Sequence, residues 1–211
     1  MGEDCMNIQN IRAYVEYKPQ NIKRHQVVVD LITLLLLSIP CIIWLYNIWV
    51  AIGFILFDLF IIAVSIYIVT RPKTTTKHTN LFYGLYLLFI SVSCISLSFK
   101  FLVIAGYGYV YLLCGMIFAF FVAILLTFVY VLSNIRRGKY KEYLKNKMNR
   151  VGYYSLAGAA IGITVTRMVA NQLSQSAIFV FLSILLFALA LLCCLGTAFF
   201  LKLHFQIKYK L

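Results

Sequence analysis

Residues 27–70 read VVVDLITLLLLSIPCIIWLYNIWVAIGFILFDLFIIAVSIYIVT, an apolar stretch interrupted only by Asp30, Pro40, Asn47 and Asp58. A helix needs about 20 apolar residues to cross a hydrocarbon core ~30 Å thick. At a helical rise of ~1.5 Å per residue, this stretch is long enough for two crossings. The spacing therefore predicts a tight hairpin turning near Asn47.

Outward from that hairpin, further apolar runs occupy 81–99, 107–133, 152–170 and 177–201. With the two arms, 27–46 and 50–70, they make six predicted transmembrane helices. Composition agrees. Of 211 residues 63% are hydrophobic and only 12% charged, with a mean hydropathy of +0.92. Soluble domains are near half apolar and a quarter charged, so this chain could not clothe a water-facing surface. A soluble globular protein, a disordered tail and a fibrous repeat are excluded. The expected fold is an all-α polytopic integral membrane protein, with tails at 1–26 and 202–211.

Lys and Arg set the expected orientation. Arg12, Lys18, Lys23 and Arg24 precede the first span, and Arg71, Lys73 and Lys77 follow the second. The fourth connection carries Arg136, Arg137, Lys139, Lys141, Lys145, Lys147 and Arg150, and the chain ends with Lys202, Lys208 and Lys210. Only Lys100 and Arg167 fall on the other side, so the balance is 17 against 2. Positive charge resists translocation, which puts both termini in the cytoplasm. The net charge of +13 is thereby accounted for, and no nucleic acid partner is expected. Aromatic residues agree: Trp44, Tyr46 and Trp49 mark the first outer turn and Tyr107, Tyr109 and Tyr111 the second. Their amphipathic rings suit the headgroup level.

The first apolar run is too long for a signal-peptide core and lacks a small-residue cleavage site, so it is expected to stay as a signal anchor. Ser38-Ile39-Pro40-Cys41 is not a lipoprotein cleavage box, because proline occupies the position where such boxes have a small residue. Cys41, Cys94, Cys114, Cys193 and Cys194 lie in apolar spans and Cys5 in the tail, without any Cys-x-x-Cys. They read as small hydrophobes in helix packing, with neither metal nor disulfide expected.

Two segments outside the spans carry periodic signals. Over 139–150, Tyr140, Tyr143, Leu144 and Met148 recur at helical spacing among Lys139, Lys141, Lys145 and Lys147. This fits an interfacial helix with lysines over an anionic inner leaflet, or equally a short solvated linker. In the N-terminal tail Ile11, Ala13, Val15 and Tyr17 alternate like a strand ended by Pro19, whereas Ile8, Ile11 and Val15 share one helix face. Periodicity leaves both open.

Catalytic chemistry lacks its parts. There is no His-Glu-x-x-His, no Gly-x-Ser-Gly and no Walker motif, and Arg71-Pro72 is not followed by the Ser-Gly-His of lipid phosphatases. His25, His78 and His204 stand at inner edges without a nearby carboxylate in sequence. No enzyme activity and no cofactor are expected. The size and span count resemble the substrate-binding subunits of vitamin transporters with separate energising modules. The Ala-x-x-x-Ala packing motif of their first span is missing, since no alanine occurs between Val27 and Val50.

What remains is packing and charge. Ser155, Gly158 and Gly162 in the fifth span would allow two backbones to approach closely. Asp58 lies about 12 Å below the outer end of the second span, at helical rise. Arg167 is the basic residue at comparable depth. A charge at the bilayer centre costs about 2.5–3.5 kcal/mol on insertion scales. An Asp58–Arg167 contact is therefore one expectation; the other is a protonated Asp58 bonded to a hydroxyl such as Ser65, Ser91 or Thr164, with Arg167 reaching the interface. The abundance of Ile, Phe, Tyr, Lys and Asn is that of an AT-rich bacterium, which suggests a bacterial cytoplasmic membrane. The functional expectation is an accessory or immunity-type partner of another membrane protein or secretion machine, acting by intramembrane helix contacts. The alternative is a small transporter or ABC-type permease subunit.

Overall fold

The computed structural model describes residues 8–17, 24–44, 48–70, 76–141 and 174–210, and every element in them is helical. These are α1 (Ile8–Glu16), α2 (Arg24–Trp44), α3 (Ile48–Thr70), α4 (Thr76–Ile104), α5 (Val110–Arg136), α6 (Gln175–Cys193), a 3-10 turn (Cys194–Thr197) and α7 (Ala198–Lys208). Five segments are long and apolar enough to cross a membrane, the last running Gln175–Lys208 through α6, the turn and α7. The predicted span 152–170 lies outside the described residues, and with it Ser155, Gly158, Gly162 and Arg167.

The expected hairpin is present as α2 and α3, and its seam has heptad spacing. On α3 the buried residues are Phe54, Asp58, Ile61, Ser65 and Ile68, in alternating steps of four and three. On α2 the same steps connect Val27, Leu31, Leu34, Ser38 and Cys41, of which Leu31 is half-buried and the rest buried. The stripes run antiparallel. Val27 packs with Ile68, Leu34 and Cys41 pack in one cluster with Phe54 and Ile61, and Ser38 meets Asp58. This is the 3.5-residue repeat that lets knobs of one helix enter holes of its neighbour. In lipid such packing and interhelical hydrogen bonds hold helices together, because hydrocarbon is as apolar as the seam itself.

α4 is the hub. It runs antiparallel to α6 and α7, tied at its ends by side-chain hydrogen bonds: Asn80 Nδ2 donates to Gln206 Oε1 at 3.0 Å, and Ser98 Oγ donates to the Ser183 carbonyl at 2.8 Å. Between the ties, glycines permit close approach. A Cβ on Gly84 would stand 2.9 Å from the Phe200 ring, and one on Gly196 would overlap the Leu87 side chain. Cys94 and Ile95 of α4 pack with Met116 and Phe120 of α5 and Ala190 of α6. α4 stops in a Schellman motif. Gly106 takes φ +88°, Tyr107 N donates to Leu102 O and Gly106 N to Val103 O, so carbonyls left over by the helix are satisfied.

The N-terminal tail resolves as helix. α1 lays Ile11, Ala13, Tyr14 and Val15 against Val131 and Ile135 of α5, Tyr140 and Phe205 of α7. Both alternation and helical spacing fitted the sequence; the apolar patch at the ends of α5 and α7 decides for helix. Two charged residues are also placed differently from expectation. Lys100, assigned to a connection, is inside α4 and buried, and Lys202, assigned to the tail, is inside α7 and 9% exposed. Helices longer than the hydrocarbon is thick carry such residues into the packed bundle.

Candidate functional site

α3 presents Asp58 to α2, in the middle of the hairpin seam. The residue is 7% exposed. Its Oδ2 lies 2.8 Å from Ser38 Oγ, and Ser38 Oγ lies 3.0 Å from the Leu35 carbonyl. Asp58 Oδ1 is buried with no hydrogen-bond partner among the described residues. One turn further along α2, Cys41 Sγ is 3.6 Å from both the Leu37 carbonyl and the Ser93 carbonyl of α4. Pro40 stands between these two positions and has no N–H for the Leu36 carbonyl four residues earlier. Three helices thus bring a carboxyl, a hydroxyl, a thiol and backbone acceptors into one buried stretch. Such a set can hold and relay a proton. No group of three metal-ligating side chains forms among the described residues.

Neither hydroxyl expected to serve Asp58 on the described helices does so. Ser65 Oγ donates to its own helix at Ile61 O, and Ser91 Oγ to Leu87 O. Ser38 takes the role instead. Its sequence signal was the heptad step from Leu34 to Cys41, which places it opposite Asp58 in an antiparallel pair. The expected contact of Asp58 with Arg167, and the packing of Ser155, Gly158 and Gly162, fall on residues outside those described.

A second polar centre lies at the end of the bundle that carries α1. Lys202 Nζ donates to the Tyr17 carbonyl at 2.7 Å, at the C-terminus of α1, where the helix dipole favours a cation. The same ammonium stands 5.4 Å from the Tyr14 ring centroid and 5.9 Å from those of Tyr17 and Phe199, within cation–π range. Tyr14 Oη donates to the Ala198 carbonyl at 2.8 Å. Burial, with the Tyr140 phenol beside it, pushes the Tyr14 phenol well above its ordinary range, so it remains a neutral donor.

Tyr140, expected as an inner-leaflet lipid contact, is placed against α1. Its ring is 8% exposed and packs against Tyr14 and Tyr17, with centroids 4.8 and 5.5 Å apart. α1 covers the ring that the bilayer interface was expected to take. Lys139 is partly exposed, and Lys141 Nζ donates to Gln9 Oε1 of α1 at 3.3 Å. Tyr143, Lys145 and Lys147 lie outside the described residues.

Five helical segments of this length and apolarity mark the chain as a multi-pass membrane protein. Comparison of the chain with protein-family models, with curated proteins and with solved structures finds no match.

Proposed function

We propose that the protein is a non-enzymatic, multi-pass cell-membrane protein that serves as an accessory or immunity-type partner of another membrane protein or secretion machine. It has six spans and cytoplasmic termini in a bacterial cytoplasmic membrane, with its basic connections over the anionic inner leaflet. It works through intramembrane helix contacts. The observation that carries this reading is how the polar side chains are used. Asn80 with Gln206, Ser98 with Ser183, Ser38 with Asp58 and Lys202 with the Tyr17 carbonyl all close helix to helix. The outward faces are apolar, as on α5, where Phe118, Phe121, Leu125 and Val129 are all exposed at helical spacing.

Chain path supports the sixth span. α5 ends in the cluster that holds α1 and Phe205, whereas α6 begins beside Leu102, Tyr107 and Leu112 at the opposite end. Facing ends so placed support a further crossing in the sequence between them.

A transporter or permease-subunit reading draws on one observation, Asp58 Oδ1, which has no partner among the described residues. Photo-crosslinking residues at Phe118, Phe121 and Leu125, combined with ion and proton flux in proteoliposomes, separate the two. The partner reading expects a discrete adduct with one membrane protein from these positions and no flux. Flux that is lost in Asp58→Asn, without any discrete adduct, overturns it.

A further inference from the structure

We propose that Asp58 is a resident proton-binding site within the membrane: the carboxyl is neutral, its proton is on Oδ2, and Ser38 relays the hydrogen bond to the Leu35 carbonyl. This goes beyond the partner reading and does not depend on it. Ser38 Oγ stands 2.8 Å from Asp58 Oδ2 and 3.0 Å from Leu35 O. A serine hydroxyl has one hydrogen and two lone pairs. Beside a carboxylate, that hydrogen serves one acceptor and leaves the other facing a lone pair. Beside the neutral acid, Oδ2–H donates to Ser38 Oγ and the Ser38 hydroxyl donates to Leu35 O. Both short contacts then become hydrogen bonds.

The remaining surroundings favour the same state. Asp58 Oδ1 is buried without a partner among the described residues. An orphaned carboxylate oxygen is far costlier than the carbonyl oxygen of an acid. No basic side chain among the described residues is within ion-pair distance of Asp58. The seam neighbours among the described residues are uncharged. α2 contributes Ser38 and the Cys41 thiol, α3 its own Phe54, Ile61 and Ser65, and α4 the Ser93 carbonyl that accepts from Cys41. A charge in such a setting is expensive, and a buried carboxyl escapes the cost by keeping its proton.

Infrared spectroscopy of the full chain in liposomes, with aspartate carboxyls labelled with carbon-13, reads the state directly. The chain has three aspartates, Asp4, Asp30 and Asp58. At neutral pH the labelled wild type should show a carboxylic-acid C=O band, which Asp30→Asn keeps and Asp58→Asn loses. Ser38→Ala should keep the band and shift it to higher wavenumber, as the hydrogen bond is removed. Label found only in carboxylate bands of the wild type overturns the proposal, and that reading needs no variant to fold. An acid band lost in Asp30→Asn instead, or left unshifted by Ser38→Ala, also overturns it.

Discussion

Ser38 of α2 and Asp58 of α3 meet across an antiparallel helix pair, 2.8 Å apart, at matching positions of two heptad stripes. The contact fixes register as well as energy. Sliding one helix by a turn would leave a carboxyl against Leu34 or Cys41, and a buried polar group without its partner costs about 1–3 kcal/mol. Asp58 thus has a positioning role in the hairpin, as a lone polar residue does in a coiled coil.

Removing one partner of this pair should therefore hurt more than removing both. Ser38→Ala alone is expected to cost about 1–3 kcal/mol, the penalty of stranding Asp58. Ser38→Ala combined with Asp58→Leu should recover most of that loss, because the seam becomes uniformly apolar. Unfolding in mild detergent measures both. A double variant as unstable as the sum of the singles would contradict the pairing.

The sequence made this hairpin legible, because a long apolar stretch with one polar break admits little else. It hid the seam, since residues around both helices are apolar and a stripe stands out only where polar residues mark it. Ser38, Asp58 and Ser65 were those marks. In sequence, Ser38 stands out only within a cleavage box that its neighbouring proline rules out, and matching by depth offers Asp58 a partner, Arg167, that lies outside the described residues. The α1 helix was ambiguous for a different reason. Its nine residues fit two periods, and the choice is made by a surface assembled from α5, Tyr140 and α7, far away in sequence.

The crossing of α4 with the segment after α6 depends on having no side chain at Gly196. Gly196→Ala would force its new methyl into Leu87, and overpacking of this kind costs about 1–3 kcal/mol. Leu87→Gly, which removes the Cβ as well as the branched end that the new methyl meets, should rescue part of the Gly196→Ala loss in thermal unfolding, whereas Leu87→Ala, which keeps the Cβ, should rescue less. Gly53→Ala is the control, because nothing lies within 4 Å of the added carbon. Equal losses at Gly53 and Gly196 would contradict the packing.

α1 should be held by few contacts and released by small changes. Tyr14→Phe removes the hydrogen bond to the Ala198 carbonyl, worth about 0.5–1.5 kcal/mol. Lys202→Met removes the ammonium from the end of α1. Each should speed hydrogen exchange in α1 while leaving α4 unchanged. Faster exchange throughout would show that α1 is not a separable unit.

Alkali should act on the same latch. Burial raises the Tyr14 phenol above its ordinary value of 10.0, so the folded state favours the neutral form. A raised value stabilises fully below the unfolded one and loses its contribution as pH rises beyond it. α1 protection in the wild type should hold up to pH ~10 and fall above it. Lys202→Met serves as the background, because it removes the ammonium that shares the latch. If Tyr14→Phe falls as steeply as Tyr14 in that background, the phenol is not the cause.

The direct test of the whole account is topology around the return crossing. Reporter fusions or cysteine-accessibility probes at Lys77, Asn146 and Leu211 should report the cytoplasm, and those near Asn47, Gly106 and Ser174 the outside. The decisive pair is Asn146 and Ser174, because α5 and α6 place their facing ends at opposite ends of the bundle. Opposite sides for these two residues is the predicted result. The same side for both, or an outside signal at Asn146, would contradict six spans with cytoplasmic termini.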